Sequence, residues 1–406
     1  MERFFKDPVT IKRFRSGPLG PWMQPLVGEF IQQGYKVQSI RKRLRTIHQF
    51  GCWLRRCRIP LTKAKPSDAN RYVAHHGKVK EGDGQTLRQL FKFLTKSQFI
   101  PIQPLIKPYA EKVVDGFADH LRLDCGLSHS TISYHRLAAK KFLLHRFGDN
   151  QIALSTIEAR DVIGFVNREA TRLHSMQPKT TTTALRAFFR YLQQRGFIDR
   201  NLATAVPSLA HRPGSNIPRG LTRDQVKRVL ASCNRKTGIG RRDYAILLLL
   251  ARLGLRAGEV CTLHLEDIDW VSGTISVRGK GGKHCKLPLP QDVGQAIATY
   301  IRRDRPSVAT RRIFLRVPAP VTGFQCGASI SLIVKYALAR AGVQSSSMGA
   351  HQFRHTLATE MLRNGASLPE IGEVLRHQHP KTTFIYTKVD FTTLRRLARR
   401  WPGGVK

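Results

Sequence analysis

In the stretch TLRQLFKFLTKSQFI (86–100), apolar residues fall at Leu87, Leu90, Phe91 and Leu94, the spacing of a helix with one buried face. The same spacing returns in ALRAFFRYLQQRGFI (184–198) at Leu185, Phe188, Phe189 and Leu192. Two other blocks match in the same order. GYKVQSIRKRLRTIHQFGCWLR (34–55) aligns without gaps to GLSHSTISYHRLAAKKFLLHRF (126–147), pairing Ile40 with Ile132 and Phe50 with Phe142. LTKAKPSDANRYV (61–73) parallels LSTIEARDVIGFV (154–166), sharing Leu, Asp, an aromatic and Val in register. Amphipathic helices resemble one another in general, but three matched blocks in one order predict a duplication. Each copy reads as an all-α bundle of about four helices with Lys and Arg on its outer faces.

The periodicity breaks in NLATAVPSLAHRPGSNIPRG (201–220), rich in Pro, Gly and Ser, which marks a linker. Beyond it the pattern is mixed. Thr222 opens a helix with T-x-x-Q, and Ser367 opens another with S-x-x-E, both capping-box spacings. Asn364-Gly365 ends the helix before Ser367. A helix over 241–253 runs into a Gly254–Gly258 bend, and TISV (274–277) and HCKLPL (284–289) flank GKGGK as a β-hairpin. The stretch DFTTLRRLARRW (390–401) carries an apolar stripe at Phe391, Leu394, Leu397, Ala398 and Trp401. The expected fold is mainly α, with a small β-hairpin or sheet making the C-terminal domain α+β. Its expected parts are helical units at 1–107 and 108–206, a linker at 207–220, a mixed domain at 221–390 and an amphipathic helix at 391–406. Residues 1–30 carry no clear signal.

Charge narrows the partner. The 406 residues hold 69 Lys+Arg against 27 Asp+Glu, a formal net charge of +42, spread over every segment rather than one tail. Self-repulsion on that scale makes sense opposite a polyanion: nucleic acid first, a membrane surface second. An ordinary hydrophobic share of 41% argues against disorder. Seven cysteines, at 52, 57, 125, 233, 261, 285 and 326, form no CxxC pair and no zinc-finger array, which reads as reduced thiols in a cytoplasmic protein. The N-terminal MERFFKDPVTIKRFRSG has no apolar core of a secretory signal. YAILLLLARLGL (244–255) is too short to span a bilayer and reads as a buried helix, so no membrane partner is expected.

Four short motifs carry candidate chemistry: GLRAGE (254–259), GKGGK (279–283), HQFRH (351–355) and LRHQHPKTTFIY (375–386). Each alone is ordinary: a solvated Arg in a turn, a Lys decorating a hairpin, a structural His. Together they supply two arginines, a lysine, two histidines and a tyrosine. A phosphodiester under attack gathers charge on its non-bridging oxygens, which planar guanidinium groups bind bidentately. Such arginines can supply the stabilisation a metal otherwise gives. A tyrosine hydroxyl can hold a covalent phosphate, and a positioned Lys can protonate the departing oxygen.

The ordered set Arg256, Lys280, His351-x-x-Arg354, His377 and Tyr386 resembles the tyrosine recombinase (phage integrase) family, whose catalytic domain carries R…K…H-x-x-R…H/W…Y. GLRAGEV, VRGKGGKHCKLPL, HQFRHTLAT and TTFIYTKV match its fuller patterns, and the resemblance covers about 219–390. Residues 108–206 are similar to the family's SAM-like core-binding domain, with the first copy an extra unit of that kind. The resemblance implies that Tyr386 attacks the scissile phosphate, forming a 3′-phosphotyrosyl link and freeing a 5′-hydroxyl. Arg256 and Arg354 would grip the non-bridging oxygens and Lys280 would protonate the leaving oxygen, with Lys283 and Lys286 as nearby rivals. His351 would act in proton transfer with the tyrosine, His377 would hydrogen-bond the phosphate, and Glu259 would orient the site. It implies no cofactor and no metal. The implied partners are double-stranded DNA and copies of the same chain, as a tetramer on two sites joined through the C-terminal stripe, with other recombinases of the same element as further candidates. A mobile-element role, integration or transposition, is the expected setting.

Two features depart from that pattern. Leu375-Arg376-His377 stands where the family has Leu-Gly-His, which removes a permissive backbone position. His355 and His379 are not family catalytic positions and read as structural or phosphate-adjacent, while Tyr244, Tyr300 and Tyr336 read as packing. A non-catalytic DNA-binding protein and a type IB-like topoisomerase are the alternatives.

Overall fold

A computed structural model of the chain describes residues 1–75, 82–100, 109–148, 151–172, 177–208, 220–279, 284–345 and 349–389. Five helices come first: α1 (Pro8–Arg15), α2 (Gly20–Gln32), α3 (Val37–Arg56), α4 (Pro66–His75) and α5 (Asp83–Lys96). The apolar stripe of α5 is fully buried at Leu87, Leu90 and Leu94, against Leu44, Ile47 and Phe50 of α3 and Phe14 and Phe30 of α1 and α2. Four helices follow: α6 (Tyr109–Leu123), α7 (His129–Phe147), α8 (Ala159–Arg172) and α9 (Gln177–Gln194). Their core holds Phe117, Phe142, Leu185, Phe188, Phe189 and Leu192.

The two bundles repeat each other in detail. The run from α2 to α5 has the order of the run from α6 to α9, and each places a short 3-10 turn between its second and third helices, at Leu61–Lys63 and Leu154–Thr156. Gly34 and Gly126, paired by the sequence alignment, both take left-handed backbone, φ 77° and 61°, which glycine adopts without a Cβ clash. The matched Asp68 and Asp161 carboxylates accept from the backbone N–H groups of Lys65 and Glu158, at 2.8 and 2.9 Å. Matched aromatic pairs meet edge to face: Phe50 with Phe91 at 6.0 Å between centroids, Phe142 with Phe189 at 5.1 Å.

The remaining helices are α10 (Arg223–Ala231), α11 (Gly238–Leu253), α12 (Ala257–Thr262), α13 (Gln291–Arg303), α14 (Gly327–Arg340), α15 (His351–Arg363) and α16 (Leu368–Val374). Between α12 and α13 lies an antiparallel sheet, β1 (Ile268–Asp269), β2 (Thr274–Arg278) and β3 (His284–Pro288), in that order. Residues 280–283, the tip of the expected hairpin, lie outside the described residues, as does 391–406. Alternation on β2 sends Ile275 and Val277 into the core, where α11 is buried all round at Ile246, Leu247, Leu249 and Leu250. Thr222 and Ser367 both form the reciprocal capping boxes that their spacing predicts. Among the described residues no helix is long and apolar enough to cross a membrane.

Contacts group Met1–Ile102 with Asn216–Lys406 as one compact unit and Gln103–Ser215 as another. Within the first unit the backbone N–H of Val321 donates to the Gln33 carbonyl at 2.9 Å, and Ala319 packs on the core of the first bundle.

Candidate active site

Gly254 is where the site begins. It ends α11 in left-handed backbone (φ 56°), and a Cβ there would sit 2.8 Å from Leu375 Cδ2 and 2.9 Å from Leu357 Cδ2. Only a bare backbone lets the chain pass this close to the 375–377 turn. Two residues later Arg256 caps α12. Its backbone N–H and its Nη1 both donate to Glu259, each at 2.8 Å, so the carboxylate fixes the guanidinium from two sides.

Helix α15 supplies Arg354, His351 and His355. Arg354 is buried, its Nη1 donating to the Gly254 carbonyl at 2.7 Å and its Nη2 to the Leu375 carbonyl. The second arginine therefore ties the end of α11 to the turn that carries His377. Burial, then repulsion from Arg256 and Arg376, lowers the Arg354 pKa to about 10, which leaves it charged at neutral pH.

Tyr386 sits in a 3-10 turn, Phe384–Val389, in a small cluster with Ala358, Ile371 and Leu375, and is 1% exposed. Its hydroxyl lies 3.0 Å from His355 Nδ1, and its ring stacks on His377 with centroids 6.4 Å apart and planes 6° apart. His377 is held by Thr383, Nδ1 to Oγ1 at 2.7 Å. Burial raises the phenol pKa, against the lesser opposing pull of Arg354 and then Arg256. Burial pushes His377 down to about 4, aided by Arg354, Arg256, Arg376 and His355. His355 is lowered by burial, then by His351 and Arg354. His351 meets solvent, yet is lowered by the surrounding protein and then by Arg354 and Arg256. At neutral pH the site thus holds a charged Arg354, neutral imidazoles and a protonated phenol.

A groove of about 480 Å³ is bordered by Arg256, Arg376, His377, His379, His284 and Thr382. A depression of about 540 Å³ near Trp270 and Arg302 holds none of the motif residues, so size alone misdirects. Gly279 also borders the groove; Lys280 and Lys283 lie outside the described residues. Lys286 is exposed on β3 and 3.6 Å from Asp269.

The structure thus brings Arg256, Glu259, Arg354, His377 and Tyr386 together, with His351 one turn before His355 on α15. Two residues escaped the sequence reading. His355, set aside there as structural or phosphate-adjacent, is the imidazole on the Tyr386 hydroxyl, where His351 was expected; the His351 ring lies 6.5 Å from that of His355. The HQFRH spacing puts both rings on one face, and nothing in it says which reaches the hydroxyl. Arg376 takes left-handed backbone (φ 56°), at a cost of about 1–2 kcal/mol for a residue with a Cβ, and pairs with Glu259 at 3.1 Å. His379, exposed beside the groove, fits a phosphate-adjacent place. Tyr300 is packed and Tyr244 half-buried, whereas Tyr336 is 55% exposed and its expected packing role is not met.

Comparisons with known proteins point one way. The profile described as Phage integrase family matches residues 219–393, and that described as Phage integrase, N-terminal SAM-like domain matches 114–196. The chain is 45% identical to a protein of Sinorhizobium fredii named as an integrase/recombinase, y4rA, over 99% of both chains. It is 31% identical to tyrosine recombinase XerC of Thermodesulfovibrio yellowstonii, over 69% of this chain and 93% of that one. Among solved structures it is similar in fold to the XerH site-specific recombinase bound to a palindromic difH substrate, with TM-score 0.56 and 20% identity over 73% of this chain and 98% of that one.

Proposed function

The chain belongs to the phage integrase family of tyrosine recombinases, and on that premise we propose that it cuts and rejoins duplex DNA at specific sites through a covalent bond to Tyr386. The observation that carries this reading is the setting of the Tyr386 hydroxyl: 3.0 Å from a neutral imidazole and under the field of both arginines.

In the proposed step the phenol oxygen forms a bond to the scissile phosphorus, and the bond from phosphorus to the 5′-oxygen breaks. The phenol proton passes to an imidazole of α15. His355 is already in hydrogen-bond reach; His351, one turn earlier, is the family position for this role. Lys280 gives the leaving oxygen its proton. Arg256 and Arg354 take the non-bridging oxygens, and His377 adds a hydrogen bond. Glu259 holds Arg256 in place. A 5′-hydroxyl is released and the energy of the broken bond stays in the phosphotyrosyl link, so religation needs no ATP. Because Tyr386 is 1% exposed, its ring must leave the Ala358–Ile371–Leu375 cluster to meet a phosphate in the groove.

The finer setting is part of the proposal. The y4rA relative matches over 99% of both chains, whereas XerC matches 69% of this one. The longer match is to a protein named as an integrase/recombinase, and the role proposed here is that of a mobile-element integrase or transposase. The active assembly is proposed as a tetramer on two DNA sites, with the 391–406 stripe bridging neighbours.

A library of nicked duplexes of random sequence tests the reading. Wild-type protein should yield a covalent complex on denaturing electrophoresis, and Tyr386→Phe should yield none. DNA binding with no adduct would instead support an architectural protein. Relaxation of supercoiled plasmid by a monomer, without sequence preference, would support a topoisomerase.

A further inference from the structure

Arg376 occupies a backbone conformation that favours glycine, one residue before His377, and its side chain turns back into the site. Glu259 is consequently shared. Its Oε1 accepts from Arg256 Nη1 at 2.8 Å, while its Oε2 accepts from the Arg256 backbone N–H at 2.8 Å and from Arg376 Nη2 at 3.1 Å. The Glu259 and Arg376 side chains are both nearly buried, at 4% and 10% exposed. Arg376 Nη1 donates to the Val374 carbonyl at 3.2 Å, and the Arg376 carbonyl accepts from Arg256 Nη2 at 3.4 Å. Each end of this small network is thereby anchored on the other.

The charge arithmetic gives the network a purpose. A lone Arg256–Glu259 pair is neutral, and a carboxylate that close to the groove repels a phosphate as much as it orients the arginine. Adding a second guanidinium makes the trio net positive. It also satisfies the second carboxylate oxygen, so Glu259 can orient Arg256 without drawing it away from an anion.

We propose that Arg376 is a positioning residue of the strand-cleavage site. It shares Glu259 with Arg256, sets the Arg256 guanidinium toward the scissile phosphate and fixes the turn that presents His377. The proposal rests on the recombinase reading for its reaction, and its structural half can be tested without cleavage.

The substitution Arg376→Gly removes the guanidinium while relieving the left-handed backbone, which offsets part of the lost ion pair, so the variant should still fold and melt cooperatively. With the nicked-duplex library at saturating duplex, its rate of covalent complex formation should fall by about tenfold to a hundredfold, the scale of a misplaced catalytic group. Arg376→Lys, which keeps the charge but not the fork, should recover part of the rate. In a Glu259→Gln background the further loss from Arg376→Gly should shrink, since the two act through one carboxylate.

A second readout uses the free protein. The His377 ring stacks on Tyr386 and is held by Thr383, and the charges of Arg354, Arg256 and Arg376, with His355, act on it. Nuclear magnetic resonance titration should therefore show His377 protonating at higher pH in Arg376→Gly than in wild type. Wild-type cleavage rates in the Gly variant, an undiminished loss in the Glu259→Gln background, or an unmoved His377 titration would each overturn the proposal. Absence of any adduct from wild-type protein would sink the recombinase reading instead, and the His377 titration would still decide the place of Arg376.

Discussion

At the scale of single residues, the site is a set of groups whose charge states are set by one another. His351, His355 and His377 are all held below the ordinary imidazole range, His355 and His377 by burial first, and all three also by the neighbouring Arg354. The folded chain keeps them neutral at a pH where the unfolded chain, with imidazoles near 6.5, binds protons. Acid therefore favours unfolding. The stabilising contribution is complete above about pH 6.5 and is lost as pH falls toward the His377 value of about 4. Thermal midpoints measured from pH 7 to pH 4 should drop over that window, and the drop should be smaller in His377→Asn. His355→Ala should also slow covalent complex formation more than it weakens duplex binding, because it removes the group on the phenol. Equal rates in wild type and His355→Ala would return the proton-transfer role to His351. The motif was legible in the sequence because six residues of four types in one order are improbable together, although Lys280 lies outside the described residues. The parts played by His355 and Arg376 were not, since spacing along a helix gives a face and says nothing of which ring meets a hydroxyl turned in from another element.

At the scale of elements, the amphipathic pattern was strong enough to define both bundles and to align them. The matched Phe50–Phe91 and Phe142–Phe189 pairs show why: the same positions are filled by rings in both cores. Phe50→Ala and Phe142→Ala should each cost about 3–5 kcal/mol of stability in chemical denaturation, the usual range for emptying a buried ring site. The capping boxes at Thr222 and Ser367 were readable from four-residue spacing. Strand β1 was not, because two residues, Ile268 and Asp269, carry no period to read. Gly254 marks an element boundary whose importance emerges only in three dimensions. Gly254→Ala should destabilise by about 1–3 kcal/mol, since Ala is strained at positive φ and its methyl meets Leu375 and Leu357. It should also reduce cleavage beyond what the stability loss explains, because it displaces the Gly254 carbonyl that holds Arg354.

At the scale of the whole molecule, the formal charge of +42 implies that phosphate contacts dominate duplex affinity. Binding measured between 50 and 200 mM salt should weaken steeply, by about a thousandfold or more if some six phosphates or more are contacted. Tyr386→Phe should leave that slope unchanged, since a buried neutral phenol releases no counterions. The duplication was legible because each bundle closes its own core. The expectations for catalysis hang on a phenol oxygen becoming the covalent partner of DNA. The direct measurement is mass spectrometry of the protease-digested adduct formed on nicked duplex. The account predicts a nucleotide carried by the peptide that contains Tyr386, attached through its 3′-phosphate, with a free 5′-hydroxyl on the other fragment. A nucleotide carried by the exposed Tyr336 or by any other residue, or a link through the 5′-phosphate, would contradict it.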